Sequence, residues 1–204
     1  MSHHGEPVGV VLAGGLGRRI GGAKALVELN RRALISYPLE AVWRALGNVA
    51  IVAKIDTKLP RLPGVTVWVE PQEPRHPLTG IVHALGMAEG RAVLVCASDM
   101  PLVSPQLIGA VAHADPGGSP AVVAAASGAL QPLLACYQPS ALEPLARARG
   151  GVALREAVGG LDPATYEVDN PNALLNVNSP ADLLQASTLL DRAGARGRGP
   201  ATRR

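Results

Sequence analysis

The chain has 204 residues, a formal net charge of +3, 48% hydrophobic and 17% charged residues. That length and balance describe one globular domain with a real core and exclude a disordered chain. Gly, Pro or a charge interrupts every apolar run before the roughly 18 residues of a membrane helix, so no membrane partner is expected.

The opening "MSHHGEPVGV" shows no apolar signal segment behind a basic patch, which points to a cytoplasmic protein with a flexible N-terminus over 1–7. The first predicted strand, 8–13 (VGVVLA), runs into glycines 14, 15, 17, 21 and 22 together with Arg18, Arg19 and Lys24. Bare backbone N–H groups and clustered positive charge suit a phosphate chain. The spacing is not a Walker A loop, because Ala23 separates Gly22 from Lys24 and Ala25 follows. Nor is it a dinucleotide fingerprint, which would need a small residue where Ile20 stands.

Leu34, Ile35, Leu39, Val42 and Leu46 recur at helical spacing and predict the next element. Strands are expected at 49–53 and 65–69, the second ending at Glu70. A helix follows through Ile81, Val82, Leu85 and Ala88, then a strand over 91–97 that delivers Ser98 and Asp99 to its carboxyl end. "SPQLIGAVAHA" (104–114) opens a helix with a Ser cap and Pro in the first turn. Strands are expected at 121–126 and 132–136, with a last pair at 164–168 and 173–177. "SPADLLQASTLLDRAG" (179–194) closes the folded part as a helix, with Asp182 at the capping-box position. Runs apolar at nearly every position suit strands covered on both faces. The fold class expected is therefore α/β: a single-domain, three-layer α/β/α structure around a mostly parallel Rossmann-like sheet. Ligands of such sheets bind beyond the strands' carboxyl ends, where the glycine loop, Glu70, Asp99 and Asn176–Asn178 are expected.

The basic balance comes from the last residues, 194–204, read as a disordered Arg-rich tail. Without Arg196, Arg198, Arg203 and Arg204 the net charge falls from +3 to −1. With no Phe, three Tyr and two Trp, the chain also lacks aromatic platforms for bases, so no nucleic-acid partner is expected. Cys96 and Cys136 sit forty residues apart in apolar runs and read as buried structural thiols, not zinc ligands. His83 and His113 fall on helical patterns without a partner carboxylate, and His76 reads as a solvated loop residue. Ser98 lacks a nucleophile elbow and a His base, which excludes a hydrolase.

"LAGGLGRRIGGAKAL", "HPLTGI", "DMPLVSP", "QPLLACY" and "NVNSPADL" stand in the order and spacing of the molybdenum cofactor guanylyltransferases, the MobA-like nucleotidyltransferases, which this chain resembles over residues 8 to about 186. The resemblance implies a nucleotide-diphospho-sugar transferase type of fold over 8–193 and transfer of GMP from GTP to molybdopterin with release of pyrophosphate. It implies that Leu12, Ala13, Gly14, Gly15, Glu70 and Gly80 line the nucleotide and that Lys24 and Arg19 offset phosphate charge. Asp99 would hold Mg²⁺, while Asn176, Asn178 and Arg155 belong to segments on the pterin side. Expected partners are GTP, molybdopterin and, transiently, cofactor-insertion proteins or molybdoenzymes. The sequence departs from the family at Ala23, often acidic there, and at "VAK" (52–54), where a polar residue often meets the nucleotide. A molybdopterin cytidylyltransferase, a sugar- or polyol-phosphate nucleotidyltransferase, and a non-catalytic nucleotide- or cofactor-binding module remain alternatives at this level.

Overall fold

The computed structural model describes residues 5–14, 24–148 and 152–197, the side chains of Lys24 and 194–197 apart. Strand β1 (Val8–Leu12) pairs in parallel with β4 (Val49–Ala53) on one side and β6 (Val93–Ala97) on the other. β5 (Thr66–Val69) lies outside β4. Beyond β6 come β8 (Ala129–Tyr137), β7 (Ala121–Ala126) and β9 (Ala164–Glu167), giving a seven-stranded sheet in the order β5-β4-β1-β6-β8-β7-β9. Only β8 runs against the others, as the partner of both β6 and β7.

Alternation along the strands feeds two cores. Val11, Ile51, Leu94 and Cys96 face the layer of α1 (Ser36–Leu46) and α3 (Pro105–His113). Val10, Val52, Val95 and Val123 face α2 (Pro77–Met87), α4 (Leu142–Arg147) and α5 (Leu154–Gly159). The expected three-layer α/β/α arrangement is therefore the one observed. Cys96 and Cys136 are buried free thiols, and burial pushes Cys136 up to about 12, which leaves it protonated and inert.

The caps follow the sequence. Ser104 accepts from the Leu107 N–H to start α3. At the start of α6 (Pro180–Gly197), the Asp182 N–H donates to Ser179 Oγ and the Ser179 N–H to Asp182 Oδ2, a reciprocal capping box.

The structure corrects two expectations and adds one element. Residues 173–177 do not form a strand. Asn170 caps a 3-10 turn at Pro171–Leu174, and the segment beyond it makes one backbone bond to the sheet's rim, from Val177 N–H to the Asp99 carbonyl. The apolar run is real, but Val177 and Leu175 bury against Leu29, Leu34 and α6 instead of a neighbouring strand. Second, a small hairpin of β2 (Glu28–Leu29) and β3 (Arg32–Ala33) precedes α1, turning through Asn30 and Arg31 at φ 49° and 64°. Its turn carries no glycine signal, and Asn30 is anchored on α6 by Ser187 and Asp191. Third, His113 does have a carboxylate partner. Its Nε2 lies 2.9 Å from Glu6 Oε1, a residue 107 positions away that no local pattern could reveal. Bonding to Gly109 and Glu6 raises its pKa.

Gly9 lets α1 approach the centre of the sheet. A Cβ there would lie 2.3 Å from Val42 Cγ1 and 3.2 Å from the Asn48 carbonyl oxygen. Gly9→Ala is expected to cost about 1–3 kcal/mol through overpacking, read as a lower denaturant midpoint with an unchanged slope.

Candidate functional site

The strand register determines where the polar residues meet. Leu12 pairs with Val52 and with Ala97, and Ala53 pairs with Val69, so four parallel strands end at one level. The residues that follow them form the rim of a cleft of about 320 Å³: Gly14 after β1, Lys54 after β4, Glu70 after β5, Ser98 and Asp99 after β6. Sequential strands depart to opposite sides of β1 here, to β4 on one side and β6 on the other, which is where an open α/β sheet leaves a crevice.

Of the residues singled out from sequence, the cleft brings together Leu12, Gly14, Glu70, Gly80 and Asp99. Ala13 lies between two of them with its methyl buried in the α1/α3 core, and its N–H donates to the Val52 carbonyl. Asn176 and Asn178 flank Val177, whose N–H holds the Asp99 carbonyl at 2.9 Å, so that segment borders the cleft at Asp99. Arg155 is exposed on α5 and is not among the cleft's lining residues. Gly15 and Arg19 fall outside the described residues, as does the Lys24 side chain. The Lys24 backbone opens a 3-10 turn (Lys24–Leu26) in which Ala25 is buried in the α1/α3 core.

Glu70 is the least expected feature. Its side chain is 5% exposed, and Lys54, at 2%, is buried beside it with Nζ 3.4 Å from Oε1. Nζ also donates to the Pro71 carbonyl at 2.5 Å. Glu70 Oε2 is buried and has no hydrogen-bond partner among the described residues. Burial raises the Glu70 pKa above the ordinary carboxylate value, and the Lys54 charge partly offsets that rise. Two glycines make room for the carboxylate: a Cβ on Gly14 would stand 3.2 Å from Oε1, and one on Gly80 3.2 Å from both Oε2 and Leu12 Cδ2.

The loop after Glu70 closes the same side. Arg75 and His76 line the cleft, and Arg75 is tied to Asp56 at 2.6 Å and to Glu73 at 3.5 Å. His76 is not a free loop residue. Its Nδ1 accepts from the Leu78 N–H and caps α2, while Thr79 Oγ1 donates to the Pro74 carbonyl. No sequence motif points to Arg75, and the Lys54 position is marked only by "VAK" (52–54). The signal for Lys54 was present, a single cation ending an otherwise unbroken apolar run, but its burial depends on Glu70, sixteen residues away.

Among the described residues no group of three or more His, Cys, Asp or Glu could by itself hold a metal ion. A hard cation held at Asp99 would need water and ligand oxygens to complete its shell. That donor set fits Mg²⁺, which keeps several waters and takes one or two carboxylates beside substrate phosphates.

An open, mostly parallel α/β domain with a polar cleft at the carboxyl ends of β1, β4, β5 and β6 defines a protein of the nucleotide-binding α/β class. Residues 9–164 match the family model described as the MobA-like NTP transferase domain, and the chain belongs to that family. It is 33% identical over 189 residues to a probable molybdenum cofactor guanylyltransferase of Chloroflexus aggregans, covering 86% of this chain and 90% of the relative. It is 32% identical over 189 residues to the molybdenum cofactor guanylyltransferase of Cereibacter sphaeroides, covering 89% and 96%. Among solved structures, molybdopterin-guanine dinucleotide biosynthesis protein A from Archaeoglobus fulgidus shares the fold with a TM-score of 0.72 at 24% identity, over 90% of this chain and 98% of that one. The 2-C-methyl-D-erythritol 4-phosphate cytidylyltransferase of Thermus thermophilus does so with a TM-score of 0.65 at 21% identity, over 91% and 99%. The chain is a nucleotidyltransferase.

The packing of Glu70 against α2 gives a test of the site's geometry. Gly80→Val is expected to destabilise the protein by about 1–3 kcal/mol, since Leu12 and the Glu70 carboxylate must both retreat. Shortening the partner in a Gly80→Val/Glu70→Ala double variant should be less damaging than the sum of the two single changes, as a double-mutant cycle of melting data would read.

Proposed function

We propose that this protein transfers GMP from GTP to the terminal phosphate of molybdopterin, releasing pyrophosphate and forming the guanine dinucleotide form of the cofactor. The observation that carries the reading is the convergence of Leu12, Gly14, Glu70, Gly80 and Asp99 on one cleft, in a chain that spans 90% or more of relatives named for that reaction. In the reaction a phosphate oxygen of molybdopterin bonds to the α-phosphorus of GTP, and the bond from that phosphorus to the bridging oxygen of the β-phosphate breaks. The nucleophile is already an anion, so no general base is required. What the protein must supply is alignment of two anions and stabilisation of charge on the leaving pyrophosphate.

The residues are suited to those tasks. Gly14 and Gly15 leave backbone N–H groups unobstructed for phosphate oxygens, and Lys24 and Arg19 offset the charge of the triphosphate. Leu12, Ala13, Glu70 and Gly80 form the nucleoside side of the pocket. Asp99 is the residue that would hold Mg²⁺, which when bound neutralises phosphate charge and stabilises the departing oxygens. We assign Asn176 and Asn178, which flank the Val177 N–H bonded to the Asp99 carbonyl, to the pterin substrate, together with Arg155, exposed on α5. Among the described residues no helix is long and apolar enough to cross a membrane. We assign the reaction to the cytoplasm, where the product passes by transient contact to cofactor-insertion proteins or molybdoenzymes.

Pyrophosphate release with GTP, molybdopterin and Mg²⁺ is the decisive measurement. It is expected with GTP and not with CTP, and to stop when Mg²⁺ is chelated. Release with CTP in preference to GTP would make the protein a cytidylyltransferase, and nucleotide binding without release would make it a carrier. Asp99→Ala and Lys24→Ala should each lower kcat/KM by about 10²–10³, the usual loss when one electrostatic contact to the transition state is removed. Turnover near that of the unaltered protein in either variant would remove that residue from the mechanism.

A further inference from the structure

Among the described residues the cleft contains a buried cation that nucleotidyl transfer does not account for. Lys54 ends β4 with its side chain 2% exposed, although it follows a strand in which every residue is buried. It is turned away from solvent. Nζ donates to the Pro71 carbonyl and lies 3.4 Å from Glu70 Oε1, so two of its three donor directions are directed at the loop that begins at Glu70. A lysine held this way does not reach out to a triphosphate. Its contacts instead fix one oxygen of a buried carboxylate and leave the other, Oε2, without a partner among the described residues, against Gly80 and Leu12 on the cleft wall.

A buried carboxylate with an unsatisfied oxygen is costly unless a ligand supplies donors. Guanine offers two adjacent donors on one edge, N1–H and the exocyclic N2–H₂. The corresponding edge of cytosine presents an acceptor at N3 and would meet the carboxylate with like polarity. We infer that Lys54 is a positioning residue that orients the Glu70 carboxylate and holds it as an acceptor, so that the cleft selects a guanine base by its paired N–H donors. This rests on the nucleotidyl-transfer reading and names the residue pair that sets its base preference.

The electrostatics around the carboxylate support the geometry. Lys54 just after β4 and Arg75 in the loop after Glu70 both favour the ionised form, against the larger opposing effect of burial. Among the described residues the other titratable groups lining the cleft are Asp99 at the end of β6 and His76 at the start of α2, and His83 within α2 feels the Lys54 charge. Burial and the Lys54 charge both lower the His83 pKa, so it is neutral near pH 7 and adds no competing cation. Because the Glu70 pKa is raised, guanine binding is expected to weaken as pH falls through that value. Removing Lys54 raises the value further and moves the loss to higher pH.

The test is titration of GTP, ITP and CTP into the full-length protein and its variants by calorimetry, at several pH values. ITP lacks only the 2-amino donor. The unaltered protein is expected to prefer GTP over ITP by about tenfold or more, the usual worth of a hydrogen bond to a charged group. Lys54→Met should show a smaller preference than the unaltered protein at the same pH and regain it as pH rises, when Glu70 ionises without its partner. Should Lys54→Met unfold because it leaves a buried charge unpaired, Lys54→Met/Glu70→Gln, which buries no ion, carries the same test: its GTP-to-ITP ratio should be low and independent of pH. Equal weakening of all three nucleotides would make Lys54 a phosphate ligand and overturn the inference, as would a GTP-to-ITP ratio unchanged in either variant. Absence of GTP binding by the unaltered protein would overturn the nucleotidyl-transfer reading itself.

Discussion

Everything at the cleft depends on the common register of four parallel strands. β1 is held between β4 and β6, with Leu12 opposite both Val52 and Ala97, and β5 continues that level outward through Val69 opposite Ala53. Because the strands stop together, the residues that follow each one arrive at the same rim, from segments as far apart in sequence as Gly14 and Asp99. A slip of one residue in β5 would turn Glu70 to the other side of the sheet and leave Lys54 buried alone. The register is secured by burial on both faces: Val10 and Val11 are each 0% exposed, against different helical layers. Gly9 lets one of those layers come close enough to be sealed.

This dependence explains which parts of the molecule were legible in the sequence. The strands of the parallel half are unbroken apolar runs between turn residues, and a doubly covered strand has few other ways to be written. The Ser-Pro openings of α3 and α6 were equally readable, because a cap is satisfied within three or four residues. Residues 173–177 misled for the converse reason. ALLNV is as apolar as a strand, but the segment makes a single backbone bond to the sheet's rim and packs its Leu175 and Val177 into a small third core with Leu29, Leu34 and α6. The hairpin at Glu28–Ala33 was hidden because its turn is held open by α6 through Asn30, not by glycine. Length separates the same two cases in the second half of the sheet. Strand β8 extends from Ala129 to Tyr137, beyond the 132–136 core expected, because Ser127 and Gly128 at φ 51° and 76° turn the chain directly back from β7.

The site divides in the same way. Leu12, Gly14 and Asp99 could be named because each directly follows an obvious strand. The pairing of Lys54 with Glu70 could not, since neither residue alone predicts its own burial. A lysine after a strand is ordinarily a solvated end, and a glutamate before "PQEP" is ordinarily a loop acid. Only the adjacency of β4 and β5 makes each the other's counter-ion. Glycine carries the related signal on α2. Gly80 in a helix is locally unfavourable, and its reason appears only when the carboxylate packed against it is known.

A buried ion pair is a poor way to stabilise a domain. Desolvating Lys54 and Glu70 costs several kcal/mol per ion, and a well-packed apolar pair at the same positions would often be as stable or more so. Their presence at 2% and 5% exposure therefore calls for a reason other than folding. The arrangement has a direction: one carboxylate oxygen is engaged by a cation whose remaining contact is a backbone carbonyl, and the other is left for whatever enters between Leu12 and Gly80. An apolar pair could close that wall but could not tell a donor edge from an acceptor edge. Asp99 stands at the same rim, after β6, with its backbone carbonyl held by the Val177 N–H. Two carboxylates at one rim thus have different surroundings, Glu70 against a buried cation and two glycines, Asp99 tied through its own carbonyl to the segment around Val177.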